Sequence, residues 1–179
     1  ETITPRSITS KLLQDKITNE LKDLEMKDST FSVKIDFDAL KDDSEIYNFQ
    51  STGLDKVEFF ISTNKGQKEE QLSKIASGGE MSRIMLAIKK VLSQTDQIPV
   101  LVFDEIDTGI SGKAANSVAS KLKNIANNHQ VMCISHLPNI AAMADFNYFI
   151  SKKIVEDRTK TQVKLLDEKE VIREIASIS

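Results

Sequence analysis

The sequence predicts an α/β fold on three observations. Two short apolar runs, Val100-Leu101-Val102-Phe103 and Val131-Met132-Cys133-Ile134, read as strands buried on both faces. A helical stripe separates them, and strand, helix, strand in that order makes the strands parallel with a helical crossover. On either side of this core residues alternate with a period of two, which adds further strands of a different kind.

Taken in order, the first element covers residues 7–26. Ile8, Leu12, Leu13, Ile17, Leu21 and Leu24 recur every three to five positions as one narrow apolar stripe, with Pro5 and Ser7 at its start. Lys11, Asp15, Lys16, Glu20, Lys22 and Asp23 cover the other faces. The pattern fits a helix lying on one partner, as in a coiled-coil arm, and equally a surface helix packed on its own domain. From Phe31 the period is two: Phe31, Val33, Ile35 and Phe37 alternate with polar residues as a half-buried strand. Residues 41–51 are polar and read as a loop; residues 57–62 make a second strand, followed by turn chemistry at Asn64-Lys65-Gly66. Met81, Ile84, Met85, Ile88, Val91 and Leu92 define a helix over residues 79–93. Pro99 introduces the first apolar run, and Ala115, Val118, Ala119, Leu122, Ile125 and Ala126 form the crossover stripe. Pro138 opens a short helix through residue 143. Residues 146–166 alternate as strands around Glu156-Asp157-Arg158-Thr159, and a short helix runs from Asp167. There is no internal repeat and no low-complexity segment.

The 179 residues suit one ordinary domain with a substantial core. With 40% hydrophobic and 28% charged residues the composition is that of a globular protein rather than a disordered one. No apolar run nears the ~20 residues that span a bilayer, so no membrane partner is expected. A single cysteine, Cys133, excludes an internal disulfide framework and a multi-cysteine zinc site, and its apolar neighbours assign it to core packing. The net charge of -3 gives no global basic footprint for nucleic acid, although it leaves room for a local one. The first residue is Glu1 rather than methionine, so a piece of a longer protein is expected.

Chemistry gathers at the strand ends, where parallel α/β sheets bind ligands. The first apolar run leads into Asp104-Glu105, with Asp107 two residues on; the second leads into Ser135-His136. Four apolar residues and then two acids describe a Walker B element, in which the first acid serves Mg²⁺ and the second the attacking water. Adjacent carboxylates repel unless a cation lies between them, though an acidic loop after a strand gives the same letters. Ser77-Gly78-Gly79-Glu80 opens a helix. Ser-x-x-Glu is a capping box, but that leaves two consecutive glycines unexplained, each costing roughly 1 kcal/mol in a helix interior. Bare amides at the positive end of a helix dipole explain them as a phosphate contact. Arg83, one turn on, is placed to hold the loop or a nearby acid. Gly109-Ile110-Ser111-Gly112-Lys113 is not a phosphate loop: only two residues separate its glycines, and Ala114 replaces the needed hydroxyl. None of the six glycines completes a Walker A motif. His136 reads either as a structural histidine or as a second group at the phosphate, and His129, among Asn127, Asn128 and Gln130, as a solvated loop residue.

The order of these motifs resembles the C-terminal half of an ABC-type ATPase head, as signature loop, Walker B, D-loop and H-loop. Transporter ATPases usually place proline after the Walker B acids and glutamine in the signature; Asp104-Glu105-Ile106-Asp107 and Glu80 resemble the SMC-like chromosome and repair ATPases instead. Ile75-Ala76-Ser77-Gly78-Gly79-Glu80-Met81-Ser82-Arg83-Ile84-Met85-Leu86-Ala87-Ile88-Lys89 is similar to the RecN family of bacterial DNA-repair proteins. So are Asp104-Glu105-Ile106-Asp107-Thr108-Gly109-Ile110-Ser111-Gly112 and His136-Leu137-Pro138-Asn139-Ile140-Ala141-Ala142-Met143-Ala144-Asp145. The likeness is strong over residues 54–153 and looser before them; Met81, where leucine is commoner, is a mild departure.

The resemblance implies an α/β C-terminal head lobe over residues 30–179, a parallel-strand core with flanking helices and extra antiparallel strands. Residues 1–29 would be the returning end of a coiled-coil arm. It implies ATP and Mg²⁺ as cofactors, with Asp104 on the metal, Glu105 as catalytic base and His136 sensing the γ-phosphate. Ser77, Gly78, Gly79 and Glu80 would meet ATP held by an opposing head, and Asp107 would couple the two sites. Implied partners are the N-terminal half of the same head, a second head in an ATP-dependent homodimer, and DNA, in the cytoplasm at the nucleoid. ATP hydrolysis would belong to the full-length protein, this chain alone being inactive without Walker A. Other readings are another SMC-like head, a self-contained metal hydrolase built on Asp104, Glu105 and His136, and, more remotely, a transporter ATPase subunit.

Overall fold

The computed structural model describes residues 5–36, 55–93, 95, 97–110, 112–155 and 158–178. The loop expected over 41–51, Phe37 and the turn residues Glu156 and Asp157 lie outside them. The chain divides into two compact units, Glu1–Asp96 and Gln97–Ser179.

In the first unit α1 (Pro5–Lys22) is followed by an antiparallel sheet of β1 (Thr30–Asp36), β2 (Lys56–Ser62) and the two-residue β3 (Glu70–Gln71), then by α2 (Gly78–Leu92). The helix expected over 7–26 stops at Lys22 because the chain turns there: the Leu24 and Met26 amides both donate to the Leu21 carbonyl, and Glu25 takes a left-handed φ of 59°. Leu24 and Met26 stay buried through this turn. The β1–β2 register runs from Thr30 opposite Ser62 to Asp36 opposite Lys56. Its buried side holds Phe31 and Ile61, with the Phe31 and Phe59 rings 5.5 Å apart. β1 is an edge strand, and α1 closes that edge: Gln14 Oε1 accepts the Val33 amide at 2.7 Å and Thr18 Oγ1 the Phe31 amide at 3.1 Å. Ile17 and Leu21 of α1 and Ile84, Leu86 and Ala87 of α2 complete the core. Ile8 and Leu12, in the first half of the α1 stripe, remain exposed.

In the second unit β4 (Val100–Phe103) and β5 (Gln130–Cys133) are parallel and joined by α3 (Gly112–Ile125), the crossover the sequence required. Ala114, Ala115, Val118, Ala119, Leu122 and Ile125 form the buried stripe of α3. α4 (Pro138–Ala141) is shorter than expected, because the Ala142, Met143 and Ala144 amides close on it as turns. β6 (Tyr148–Val155) and β7 (Arg158–Leu165) pair antiparallel over eight positions, and α5 (Glu168–Ser177) ends the fold.

One expectation is corrected here. β4 and β5 are not buried on both faces: Leu101 and Phe103 are inside, but Val102 is 63%, Met132 55% and Ile134 53% exposed. Paired residues of parallel strands share a side, so Val102 and Met132 belong to one apolar face that no described residue covers. The apolar run records a strand built for cover on both sides, and this chain supplies one. Among the described residues no helix is long and apolar enough to cross a membrane.

Candidate functional site

Ser77 caps α2 from extended backbone, and its hydroxyl accepts the Glu80 amide at 3.4 Å. The return bond of a capping box, from the Ser77 amide to the Glu80 carboxylate, is not part of this cap. Ser77 and Gly78 are exposed and Gly79 is buried. The amides of Gly78 and Gly79 are among those that helix geometry leaves without an internal acceptor. Arg83 is buried one turn further on; burial pulls its pKa down and the Glu80 carboxylate acts in the opposite direction.

In the second unit the β4–β5 ladder delivers both strand ends to one place. Its last bond, Ile134 N–H to the Phe103 carbonyl at 3.0 Å, sets Asp104 and Ser135 just beyond two hydrogen-bonded strands. Asp104 and Glu105 are both exposed. Asp104 Oδ1 accepts the Glu105 amide at 2.9 Å, and Glu105 takes a left-handed φ of 56°, a conformation that costs a residue with a side chain about 1–2 kcal/mol. Such strain persists where the surroundings enforce it, and it clusters at functional sites.

Asp107 is the organiser. Only 5% exposed, its Oδ2 accepts the Ser135 hydroxyl at 2.5 Å and the His136 amide at 2.8 Å, and lies 3.1 Å from His136 Nδ1. Ser135 Oγ in turn accepts the Leu137 amide at 3.0 Å. The His136 side chain is 76% exposed, so its backbone is locked while its ring stands in solvent. Burial pushes the Cys133 thiol up to about 12, and the carboxylates of Asp107 and Asp104 push in the same direction. Cys133 is therefore a neutral thiol at the base of a strongly acidic strand end.

Asp104, Glu105, Asp107 and His136 are thus gathered by one pair of strands, whereas Ser77, Gly78, Gly79 and Glu80 open a helix of the other unit. Ser135, read from the sequence as part of this strand end but without a role, links Asp107 to the turn after β5. His129 is corrected: it is 7% exposed, with Nδ1 2.7 Å from the Ile98 carbonyl. The cause is the Gln130 amide, which bonds the Pro99 carbonyl at 2.8 Å and draws this loop against the segment before β4. Among the described residues no three His, Cys, Asp or Glu side chains are grouped so as to hold a metal ion.

No family model matches the chain. The DNA repair protein RecN of Bacillus subtilis is 42% identical over 177 residues, 95% of this chain and 31% of that protein. The RecN protein of Rickettsia prowazekii is 41% identical over 171 residues, 96% of this chain and 29% of that protein. The chain matches the C-terminal portion of RecN and spans about a third of the length of the curated relatives. Among solved structures, the Smc head domain with a coiled coil and joint from Pyrococcus yayanosii aligns with a TM-score of 0.61 and 17% identity, covering 96% of this chain and 29% of that one. A chain from work on ATP-driven dimerization and DNA-stimulated activation of SMC ATPases aligns at 0.51 and 17% identity, covering 95% of this chain and 92% of that one. At that identity the likeness is one of fold: the chain shares the mixed α/β fold of SMC head domains.

Proposed function

We propose that residues 30–179 are the C-terminal lobe of an ATPase head in an SMC-like DNA-repair protein, and that residues 1–29 are the returning end of its coiled-coil arm. One observation carries the reading: an exposed acid pair, with Glu105 on left-handed backbone, and an exposed histidine held by Asp107 occupy the ends of two hydrogen-bonded parallel strands. Half of the α1 stripe, at Ile8 and Leu12, is open to a coiled-coil mate.

Asp104 fits Mg²⁺: it is an exposed, hard carboxylate donor of the kind that binds this ion beside phosphate oxygens and water. The ion would supply neutralisation of phosphate charge. Glu105 acts as base, taking the proton of the attacking water on its carboxylate. His136, held at Nδ1 by Asp107, offers its remaining ring N–H to an anion when protonated. Ser77, Gly78, Gly79 and Glu80 form the helix N-terminus that meets ATP held by a second head, exposed at Ser77 and Gly78. Asp107 couples the sites, because any shift of its loop moves His136 directly. The N-terminal half of the head brings the Walker A cradle this chain lacks, so the chain alone does not turn over ATP. DNA is the partner of the whole protein, which acts in the cytoplasm at the nucleoid.

In the full-length protein Glu105→Gln lowers steady-state ATP hydrolysis by about 10²-fold or more and accumulates ATP-bound dimers on size exclusion. Unchanged turnover would refute the base.

A further inference from the structure

Four of the five cations of the β6–β7 ribbon lie on one of its two sides. Directly opposed residues of an antiparallel pair share a face. The register therefore puts Tyr148, Ile150, Lys152 and Ile154 on one side with Leu165, Val163, Thr161 and Thr159. Lys153 falls on the other side with Phe149, Ser151 and Val155 of β6 and with Lys160, Arg158, Gln162 and Lys164 of β7. The first side is apolar except at Lys152 and its threonines, and Tyr148, Ile150, Ile154, Val163 and Leu165 are all exposed. The second side carries every other cation of the two strands. Over residues 148–165 the sequence has five lysine and arginine residues and two acids, both acids in the turn outside the described residues. This sign is opposite to that of the chain, whose net charge is -3.

Lys153 and Lys160 stand directly across the ladder, where like charges destabilise a sheet. Stability alone gives no reason for that pairing; an anion lying over both does. At about 3.4 Å per residue, the cations from Arg158 to Lys164 span about 20 Å of one face. Lys164 is engaged by Glu170 of α5, whereas among the described residues Lys153, Arg158 and Lys160 have no acidic partner. The two sides of a ribbon are back to back. Whatever covers Ile150 and Val163 leaves these cations in solvent.

We propose that the Lys153, Arg158 and Lys160 side of the ribbon is a contact surface for the phosphate backbone of duplex DNA. Only the choice of DNA as the polyanion rests on the reading above: the relatives are DNA repair proteins, and an SMC ATPase of the same fold is described as DNA-stimulated. Such a contact positions the duplex without reading sequence, and it weakens as counterions compete.

The test uses the full-length protein and a labelled duplex of arbitrary sequence, titrated over a salt series. Replacing both lysines (Lys153→Gln with Lys160→Gln) lowers the magnitude of the log K against log salt slope by about 2 and weakens binding about tenfold or more. Arg158→Gln alone lowers the slope by about 1, which keeps the proposal testable should the double variant not fold. Lys152→Gln makes the same charge change on the apolar side and leaves the slope unchanged. ATP turnover without DNA stays at the wild-type rate in all three variants. The surface is overturned by an unchanged slope in the double variant or in Arg158→Gln, by an equal effect of Lys152→Gln, or by a loss confined to phosphatidylserine vesicles. The Glu105→Gln experiment is scored on turnover alone, so a wrong ATPase reading and a wrong DNA surface leave different traces.

Discussion

Glu105 shows how one residue serves chemistry against stability. Its left-handed φ of 56° costs about 1–2 kcal/mol, and glycine would relieve that cost while losing roughly 0.5–1 kcal/mol to its own flexibility. The balance favours glycine. Glu105→Gly is expected to stabilise the chain by about 0.5–1 kcal/mol in urea unfolding, whereas Glu105→Gln, which keeps the Cβ, leaves stability within about 0.5 kcal/mol. Both abolish hydrolysis in the full-length protein if Glu105 is the base. A Glu105→Gly variant no more stable than wild type would remove the strain argument. The acid itself was legible in the sequence, because two carboxylates after an apolar run are conspicuous. Its backbone was not, since nothing in Phe-Asp-Glu-Ile forces a positive φ on a glutamate. Asp107 was legible as a member of the site but not as a buried acceptor of Ser135 and His136, because those bonds join residues 28 and 29 positions apart.

Two helix starts carry the same kind of signature with different outcomes. Ser77 and Glu80 make one long bond of 3.4 Å. Asp167 and Glu170 close a complete capping box, the Glu170 amide donating to Asp167 at 2.9 Å and the Asp167 amide to Glu170 at 3.2 Å. The charged α5 cap is thus used for folding, and the slack α2 cap leaves Ser77 suited to another partner. Glu170 also binds Lys164, which holds its carboxyl below the usual range and fastens α5 to the ribbon. Asp167→Ala is expected to cost about 1 kcal/mol. A ten-residue helix is marginal by itself, so the loss should appear as faster amide exchange in α5 with β4 and β5 unchanged. Unaltered α5 exchange would show that packing, not the cap, sets its stability. At this scale the elements were legible because their periods differ, 3.6 against 2. β3 was not, because a two-residue strand has no period to read.

At the scale of the molecule the informative feature is apolar surface where the sequence calls for burial. Val102, Met132 and Ile134 present one face of the parallel pair to solvent, and Ile150, Val163 and Leu165 one face of the ribbon. Burying a side chain of this size stabilises by about 1.5–3 kcal/mol, so leaving several open forfeits a large share of a domain's stability. The apolar runs were read as doubly covered because the sequence encodes the strand's full environment, including parts contributed by other chain segments. That reading fails for this chain and becomes a prediction for the longer protein. If the other half of the head covers the Val102 face, Val102→Asn has two different effects. In this chain the position is 63% exposed and the change stays within about 0.5 kcal/mol, as surface substitutions do. In the full-length protein the same amide is buried against apolar neighbours without partners and costs about 1–3 kcal/mol. Hydrogen exchange of the β4 amides in both forms measures the difference. Equal effects in the two would mean that this face stays in solvent in the whole protein, and the division of the head into two halves meeting at β4 and β5 would fail with it.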